Sequence, residues 1–430
     1  MAQRPLVAQR PRAAIVVTGS ELVRGERTDL NGPFLAAQAL SLGLEPARIT
    51  IVGDRPDELE AALREGLASD LCLVSGGLGP THDDRTVELV AKAAGRGLVL
   101  DEELHAEIGA VSRGIAERLR RPYADFEFGV RKQATRPEGA LSLGLAGTAP
   151  GLVLETGGSV AVLLPGPPSE LQRLWPRALE TEPVGRVLEQ ALPPGRRVLR
   201  FFGASESAVA KALADAGGDG DGVEATICAR DFEIHVDLLV EPGAEERAAG
   251  LEQALAGPLE RYLFSRDERP VEELVLGLCR TRGWTLATAE SLTGGLVAAR
   301  LTSIPGSSDV VLGGVVAYAN EVKERELDVP PSVLAEHGAV SAETAAAMAA
   351  GARKRLEADV GISTTGIAGP GGATPEKPVG LVYLHVETPE ASGGIEFGLP
   401  ADRDSIRTRS VVAALHLARR VLSQNRDEDV

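Results

Sequence analysis

Three stretches in the last third of this 430-residue chain carry residues able to do acyl chemistry. The first is Ala289-Glu290-Ser291-Leu292-Thr293-Gly294-Gly295, ahead of the apolar run Leu296 to Leu301. A serine between a strand and a helix start can attack a carbonyl. The glycines beside it let backbone N–H groups approach a ligand with no Cβ in the way. A helix N-terminus gathers unsatisfied donors, which suits an oxyanion or a phosphate. The same serine would serve equally as a helix cap. The second stretch is Tyr318-Ala319-Asn320-Glu321-Val322-Lys323, where a tyrosine closes an apolar strand and a lysine follows five residues on. Desolvation can lower a lysine from about 10.4 toward neutrality and make it a general base. On a solvated face it is only a charge. The third stretch, Thr364-Thr365-Gly366-Ile367-Ala368-Gly369-Pro370, is a glycine-rich turn after a strand. Its amides either cradle a phosphate or simply turn the chain.

A further group lies near the N-terminus, in Ser75-Gly76-Gly77-Leu78-Gly79-Pro80-Thr81-His82-Asp83-Asp84-Arg85-Thr86. Glycines between a strand and a helix form an anion cradle. Asp83 and Asp84 offer the hard oxygen ligands that Mg²⁺-type cations want. Alternatively they stabilise a helix N-terminus.

Strands and helices alternate through the first segment, Ala13 to about Ala178, which holds the N-terminal group. Ile15 to Val17, Arg48 to Val52 and Leu71 to Val74 read as strands, and Pro56 opens a helix with Leu59, Leu63 and Leu67 on one face. That alternation predicts βαβ units and a parallel sheet covered on both faces, with ligands beyond the strands' carboxyl ends. From about Glu182 to Ser265 the pattern is a strand (Val198 to Phe202), a helix (Glu206 to Ala214) and two paired strands (Glu224 to Ile227, Glu233 to Val240). No nucleophile, base and acid cluster there, so it reads as a small α+β connecting module. The last segment starts near Val271 with a helix over Glu272 to Arg282. Strands follow at Thr285 to Thr288, Val310 to Tyr318, Asp359 to Thr364 and Val379 to Val386. Helices cover Ser341 to Leu356, capped by Ser341, and Ser405 to Leu422.

Composition narrows the classes. The net charge of −17 disfavours a direct grip on nucleic acid. Cys72, Cys228 and Cys279 are too few and too far apart for a disulfide framework or a zinc site. The six histidines make no metal-ligand pair at helical spacing. Met1 to Arg12 is polar and lacks the apolar core of a signal peptide. No apolar run approaches the roughly 20 residues of a membrane span. A cytoplasmic protein with no membrane contact is expected.

Taken together, the C-terminal stretches resemble the CinA C-terminal domain, the nicotinamide mononucleotide (NMN) amidohydrolase family. Its pattern runs AESCTGG, an LT-to-PGSS segment, YSNEAK, GAVS and TGIAGPxGGTPEKPVG. This chain has AESLTGG (289–295), LTSIPGSS (301–308), YANEVK (318–323), GAVS (338–341) and TGIAGPGGATPEKPVG (365–380). Leu292, Ala319, Val322 and the extra Ala373 depart from the pattern, which bears on substrate fit rather than proton transfer. The resemblance implies hydrolysis of NMN to nicotinic acid mononucleotide and ammonia in pyridine-nucleotide salvage. Ser291 would be the nucleophile, Lys323 the base, and Tyr318 the residue that positions them. Thr293, Gly294 and Gly295 would hold the oxyanion. Thr365, Gly366, Gly369, Pro370 and Arg407 would bind the 5′-phosphate, and Asn320 would also lie on the substrate. No cofactor is implied.

The N-terminal stretches resemble the molybdopterin-binding-like domain of CinA. The matching pieces are GSELVRGERTDLN (19–31), VGD (52–54), GGLGPTHDDRT (76–86), KQATRPEGA (132–140), GTAPG (147–151) and LPGPPSE (164–170). This resemblance implies a metal-dependent ADP-ribose pyrophosphatase. Gly76, Gly77, Gly79 and Thr81 would lie on the substrate. Asp83, Asp84 and Glu21 would hold a divalent cation of the Mg, Mn or Co class. The expected architecture is a three-layer molybdopterin-binding-like α/β domain at 13–178, an α+β linker at 179–266 and an α/β amidase domain at 267–426, in a homodimer. Two other readings remain at this point: a non-catalytic partner in competence or DNA damage, and a molybdopterin-binding protein.

Overall fold

The computed structural model describes residues 10–424. The polar start at 1–9 and the last expected positions of the third domain, 425 and 426, lie outside the described residues. The chain divides into two compact units, Met1–Gly195 and Arg196–Val430.

The first unit is built on a six-stranded sheet in the order β2-β1-β3-β8-β7-β6. Its strands are β1 (Arg12–Thr18), β2 (Glu45–Val52), β3 (Leu71–Ser75), β6 (Leu141–Leu145), β7 (Pro150–Glu155) and β8 (Val160–Leu164); β4 (Leu98–Leu100) and β5 (Thr135–Pro137) form a separate pair. The central strands β3 and β8 are buried at every position. That is why they read as unbroken apolar runs. Helices Asn31–Ser41 and Pro168–Leu179 cover one face through Leu35, Ala39, Leu171 and Leu174. Helices Pro56–Gly66 and Thr86–Ala93 cover the other through Leu59, Leu63, Leu89 and Val90. Three layers result, as expected, but the sheet is mixed. β1, β2, β3 and β8 run parallel, whereas β7 is antiparallel to β8 and β6 to β7. Only the four residues Thr156-Gly157-Gly158-Ser159 separate β7 from β8, too few for the crossover a parallel pair needs.

The boundary expected at 179 also moves. Helix Glu182–Leu188 buries Val184 in the same core as Trp175, with Val187 and Ala191 packed against it. These residues complete the first unit, and the chain leaves it only at Gly195.

The second unit holds two sheets. A four-stranded one has the order β10-β11-β9-β12, from β9 (Gly195–Phe202), β10 (Val223–Arg230), β11 (Glu233–Val240) and β12 (Leu263–Ser265). Helices Glu206–Asp215 and Glu245–Leu259 complete its core. A five-stranded one has the order β14-β13-β15-β16-β17, from β13 (Leu286–Glu290), β14 (Val311–Val316), β15 (Val360–Gly366), β16 (Leu381–Glu387) and β17 (Ser392–Gly398). β13 pairs in parallel with β14 and β15, and β16 and β17 continue antiparallel. The Ala-rich helix Ala342–Leu356 packs Met348 and Ala352 against Ala287 and Ala289. Helices Val271–Arg282 and Arg403–Ser423 share the larger core with Leu286, Ile362 and Val382. Among the described residues no helix is long and apolar enough to cross a membrane.

Candidate active site

In the second unit the parallel strands β14, β13 and β15 end side by side, the usual position for ligands in such sheets. Ser291 follows β13 directly, and its N–H donates to the Thr364 carbonyl at 2.9 Å. Ala317 follows β14 and its N–H donates to the Glu290 carbonyl at 2.8 Å. The chain then turns into helix Asn320–Leu327, whose first turns bring Lys323 back beneath the strand ends.

Lys323 is 1% exposed and Ser291 9%. The Lys323 ammonium donates to the Ala317 carbonyl at 2.8 Å, to Ser291 Oγ at 3.2 Å and to the Tyr318 carbonyl at 3.4 Å. Among the described residues no carboxylate pairs with it, so burial alone acts on its charge and pushes its pKa from 10.5 down to about 8. A lysine in this state is neutral often enough near neutral pH to take a proton from a serine hydroxyl.

The donors around the serine are arranged differently from the expectation. Glu290, 1% exposed, accepts from the N–H groups of Gly295 (2.9 Å), Val297 (3.0 Å) and Ala298 (2.9 Å), and from Thr288 Oγ1 (3.2 Å). It therefore occupies the start of helix Leu296–Thr302, and the Gly295 amide is not free for an oxyanion. The amides of Thr293 and Gly294 make no hydrogen bond among the described residues. Thr293 is fully buried, and its hydroxyl is engaged with Thr364 Oγ1 at 2.7 Å.

Tyr318 is 61% exposed. Its phenol meets neither Ser291 nor Lys323; it accepts from Arg403 Nη2 at 3.0 Å, while Arg403 Nη1 donates to the Gly369 carbonyl at 2.5 Å. Tyr318 meets Lys323 through its backbone carbonyl and not through its phenol, contrary to expectation. Arg407 also differs from its expected place on a phosphate. Its Nε and Nη2 donate to the carbonyls of Leu292 and Thr293, both at 3.1 Å, so it clamps the turn that follows Ser291. Thr365 is buried with its hydroxyl on the Ala339 carbonyl at 2.6 Å. A Cβ at Gly366 would lie 2.7 Å from the Leu381 carbonyl oxygen, so this glycine serves the close approach of β16. Asn320 and Pro370 are exposed beside the site.

In the first unit, β1, β2, β3 and β8 end around a cavity of about 560 Å³ lined by Gly19, Glu21, Asn31, Asp54, Gly76 and Asp84 among others. It sits where the strand order reverses on either side of β1, the switch point at which open sheets bind ligands. Gly76 and Gly77 have φ of 101° and 67°, and a Cβ on Gly76 would come 2.4 Å from the Thr18 carbonyl oxygen. Gly79 leaves room for the Asp84 carboxylate, which a Cβ would approach to 2.4 Å. Asp84 accepts from the Thr81 N–H at 2.9 Å and hydroxyl at 2.6 Å. Asp83 is bonded to the same hydroxyl, which holds its carboxyl below the usual range. Asp83, Asp84 and Glu21 all line the cavity. However, among the described residues no three His, Cys, Asp or Glu side chains gather so as to hold a metal ion. The expected trio is not a ready-made cation site.

The CinA C-terminal domain matches residues 268–422, and a probable molybdopterin binding domain matches residues 14–182. A CinA-like protein of Mycolicibacterium paratuberculosis is 45% identical over 432 aligned positions, covering 96% of this chain and 98% of its own. The chain belongs to the CinA family. Another CinA-like protein, from Mycobacterium tuberculosis, is 44% identical across 97% of this chain and 99% of its own. Among solved structures, a competence/damage inducible protein of Agrobacterium tumefaciens is 41% identical over 36% of this chain and 96% of its own, at a TM-score of 0.33.

Within this CinA chain the departures from the family pattern have plain structural places. Leu292 is 3% exposed in the main core of the second unit, and Val322 packs beside Leu327 and Val329. Several site residues escaped the sequence reading. Glu290 stood in the quoted motif, but nothing local showed that its carboxylate turns onto the following helix. Arg403 lies outside every motif. In the first unit Asn31, 6% exposed, donates to Ser75 Oγ at 2.9 Å and to the Gly166 carbonyl at 2.7 Å, tying together the ends of two strands. Lys132 donates to the Thr81 carbonyl beside Asp83 and Asp84. Both stand in motifs that were recognised, so the signal was present and unused.

Proposed function

We propose that the C-terminal domain is an amidase that hydrolyses the carboxamide of NMN through Ser291 and Lys323. The observation that carries this reading is a buried lysine, paired with no carboxylate among the described residues, with its nitrogen 3.2 Å from the hydroxyl of a strand-end serine. Ser291 Oγ attacks the carboxamide carbon as its proton passes to neutral Lys323. The amides of Thr293 and Gly294, which make no hydrogen bond among the described residues, are available for the developing oxyanion. Collapse breaks the C–N bond, and the lysine ammonium gives its proton to the departing ammonia. An ester to Ser291 remains. Water then attacks this ester, Lys323 takes the water's proton and returns one to Ser291 Oγ, and nicotinic acid mononucleotide leaves. Arg403 and the Gly369–Gly372 loop face the phosphate end of the substrate, since a guanidinium and exposed loop amides suit a phosphate dianion.

For the first unit the reading is a site for a phosphorylated nucleotide, ADP-ribose above the pterin. The deep cavity at the switch point and the glycines at the end of β3 support it. A divalent cation would supply charge neutralisation on the bridging phosphates, but the carboxylates do not form its cage, so no cleavage step is assigned here.

The test is ammonia release from NMN by the full chain. Wild type should release ammonia, and Ser291→Ala and Lys323→Ala should each abolish it while the chain stays folded. Release undiminished in either variant would remove the Ser/Lys mechanism. For the first unit, ADP-ribose binding lost in Asp84→Ala and kept in Ser291→Ala is expected.

A further inference from the structure

A second cavity, of about 340 Å³, lies in the second unit between its two sheets' domains. One wall comes from the small β9–β12 domain, through Phe202, Arg261 and Tyr262. The other comes from helix Arg403–Ser423, through His416, Arg419 and Arg420. No amidase group lines it. Its size lies at the lower end of small-molecule sites, about 300–1,000 Å³.

Its chemistry is one-sided. Three guanidinium groups line it and no carboxylate does. Arg419 and Arg420 form no ion pair among the described residues, and Arg419 Nε is buried without a hydrogen-bond partner. Arg419 is half-buried, with its guanidinium 5.8 Å from the centre of the Phe264 ring, and an anion would supply the partner its Nε lacks. Such clustering runs against the background of a chain with 62 acidic and 45 basic residues. The one nearby buried acid is already engaged: Glu233 Oε1 pairs with His416 Nε2 at 2.7 Å, and Glu233 Oε2 with His235 at 3.0 Å.

The rest of the wall is aromatic. His416 stacks on Phe202 with centroids 3.8 Å apart. Arg261 lies over the Tyr262 ring at 4.5 Å. His416 Nδ1 is buried without a partner. Arginine forks match phosphate oxygens in pairs, and aromatic faces accept a planar ring.

We propose that this cavity is a binding site for a nucleoside monophosphate, distinct from both sites above. The phosphate takes Arg419 and Arg420, and the base lies at the Phe202–Tyr262 wall, where Arg261, whose Nη2 donates to the Tyr262 hydroxyl at 2.5 Å, must give up the ring it covers to join them. Such a ligand bridges the small domain and the helix that also carries Arg403 and Arg407. The inference stands apart from the amidase reading and does not require it.

The test uses equilibrium dialysis of the full chain with AMP as the probe. Wild type is compared with the double variant Arg261→Glu/Arg420→Glu, both exposed positions, whose urea unfolding should match wild type. Wild type is expected to bind one more AMP per chain than the variant, or to bind that AMP at least tenfold more tightly. Adenosine and inorganic phosphate, each alone, should compete at least tenfold less well than AMP. Equal AMP stoichiometry and affinity in the two proteins would overturn the proposal, as would no AMP binding by wild type. Phosphate competing as well as AMP would overturn the nucleotide assignment.

Discussion

Lys323 should cost the fold stability in the same measure that it serves chemistry, and Lys323→Met exposes the trade. Burial moves its pKa from 10.5 to about 8. At about 1.4 kcal/mol per tenfold change, keeping the charged form buried costs about 3 kcal/mol at neutral pH. Methionine of similar length removes that cost. It also leaves the Ala317 carbonyl without its 2.8 Å donor, a loss of about 1–2 kcal/mol. The variant should therefore be more stable than wild type by about 1–2 kcal/mol at pH 7 while losing all amidase activity. The pH dependence is the sharper signature. With its folded pKa below its unfolded value, Lys323 binds its proton more readily in the unfolded chain between about pH 8 and 10.5. Wild type accordingly gains stability on the variant across that window and overtakes it at about pH 9–10. Urea unfolding read by Trp284 in a Trp175→Phe background confines the signal to the second unit, because these are the only two tryptophans. A stability difference that stays constant from pH 7 to 10 would refute the burial argument, as would an active methionine variant.

Three further outcomes follow from particular contacts. Glu290→Gln keeps the shape but weakens the acceptor of three helix amides; kcat for ammonia release should fall at least tenfold with KM for NMN little changed, and the second unit should lose about 1 kcal/mol in urea unfolding. Arg407→Ala should lower kcat because it frees the nucleophile's turn, whereas Arg403→Ala should raise KM because it removes the group on Tyr318 and Gly369; steady-state kinetics that show the reverse would exchange their roles. Burial holds the His416 pKa below 6.5, against the opposing pull of Glu233, so its neutral form is favoured in the fold and the second unit should lose stability as pH falls through 6.5, by at most about 1.4 kcal/mol per pH unit; His416→Gln should flatten that slope in thermal unfolding between pH 5 and 7.

Much of this was legible in the residues. Strand-end placement of Ser291 and the Thr365–Pro370 turn followed from apolar runs breaking into glycine. The helix cap at Ser341 appears as read, its hydroxyl accepting from the Thr344 N–H at 3.2 Å. Other features depended on contacts no local pattern carries. Lys323 is buried because helix Asn320–Leu327 folds back under the strand ends, and a charged residue on a polar-looking helix gives no sign of that. Glu290 satisfies the helix start through a choice of side-chain rotamer, so one of the three amides expected to hold an oxyanion, that of Gly295, is already taken. Tyr318 is a case where parity would have served: Leu312, Gly314 and Val316 alternate onto the exposed face, and two residues on Tyr318 continues it. The turn Thr156–Ser159 likewise signalled a hairpin within a segment read as wholly parallel. β17, Ser-Gly-Gly-Ile-Glu-Phe-Gly, went unseen because its glycines obscure the alternation.

The central claim is that Lys323 acts as the neutral base for Ser291 on a nicotinamide nucleotide. The most direct measurement is the pH profile of kcat/KM for ammonia release from NMN by the full chain, with Lys323→Ala alongside. The account predicts activity that rises with pH through an apparent pKa of about 8 and vanishes in the variant. Activity independent of pH between 6 and 9, surviving without the lysine, would contradict it.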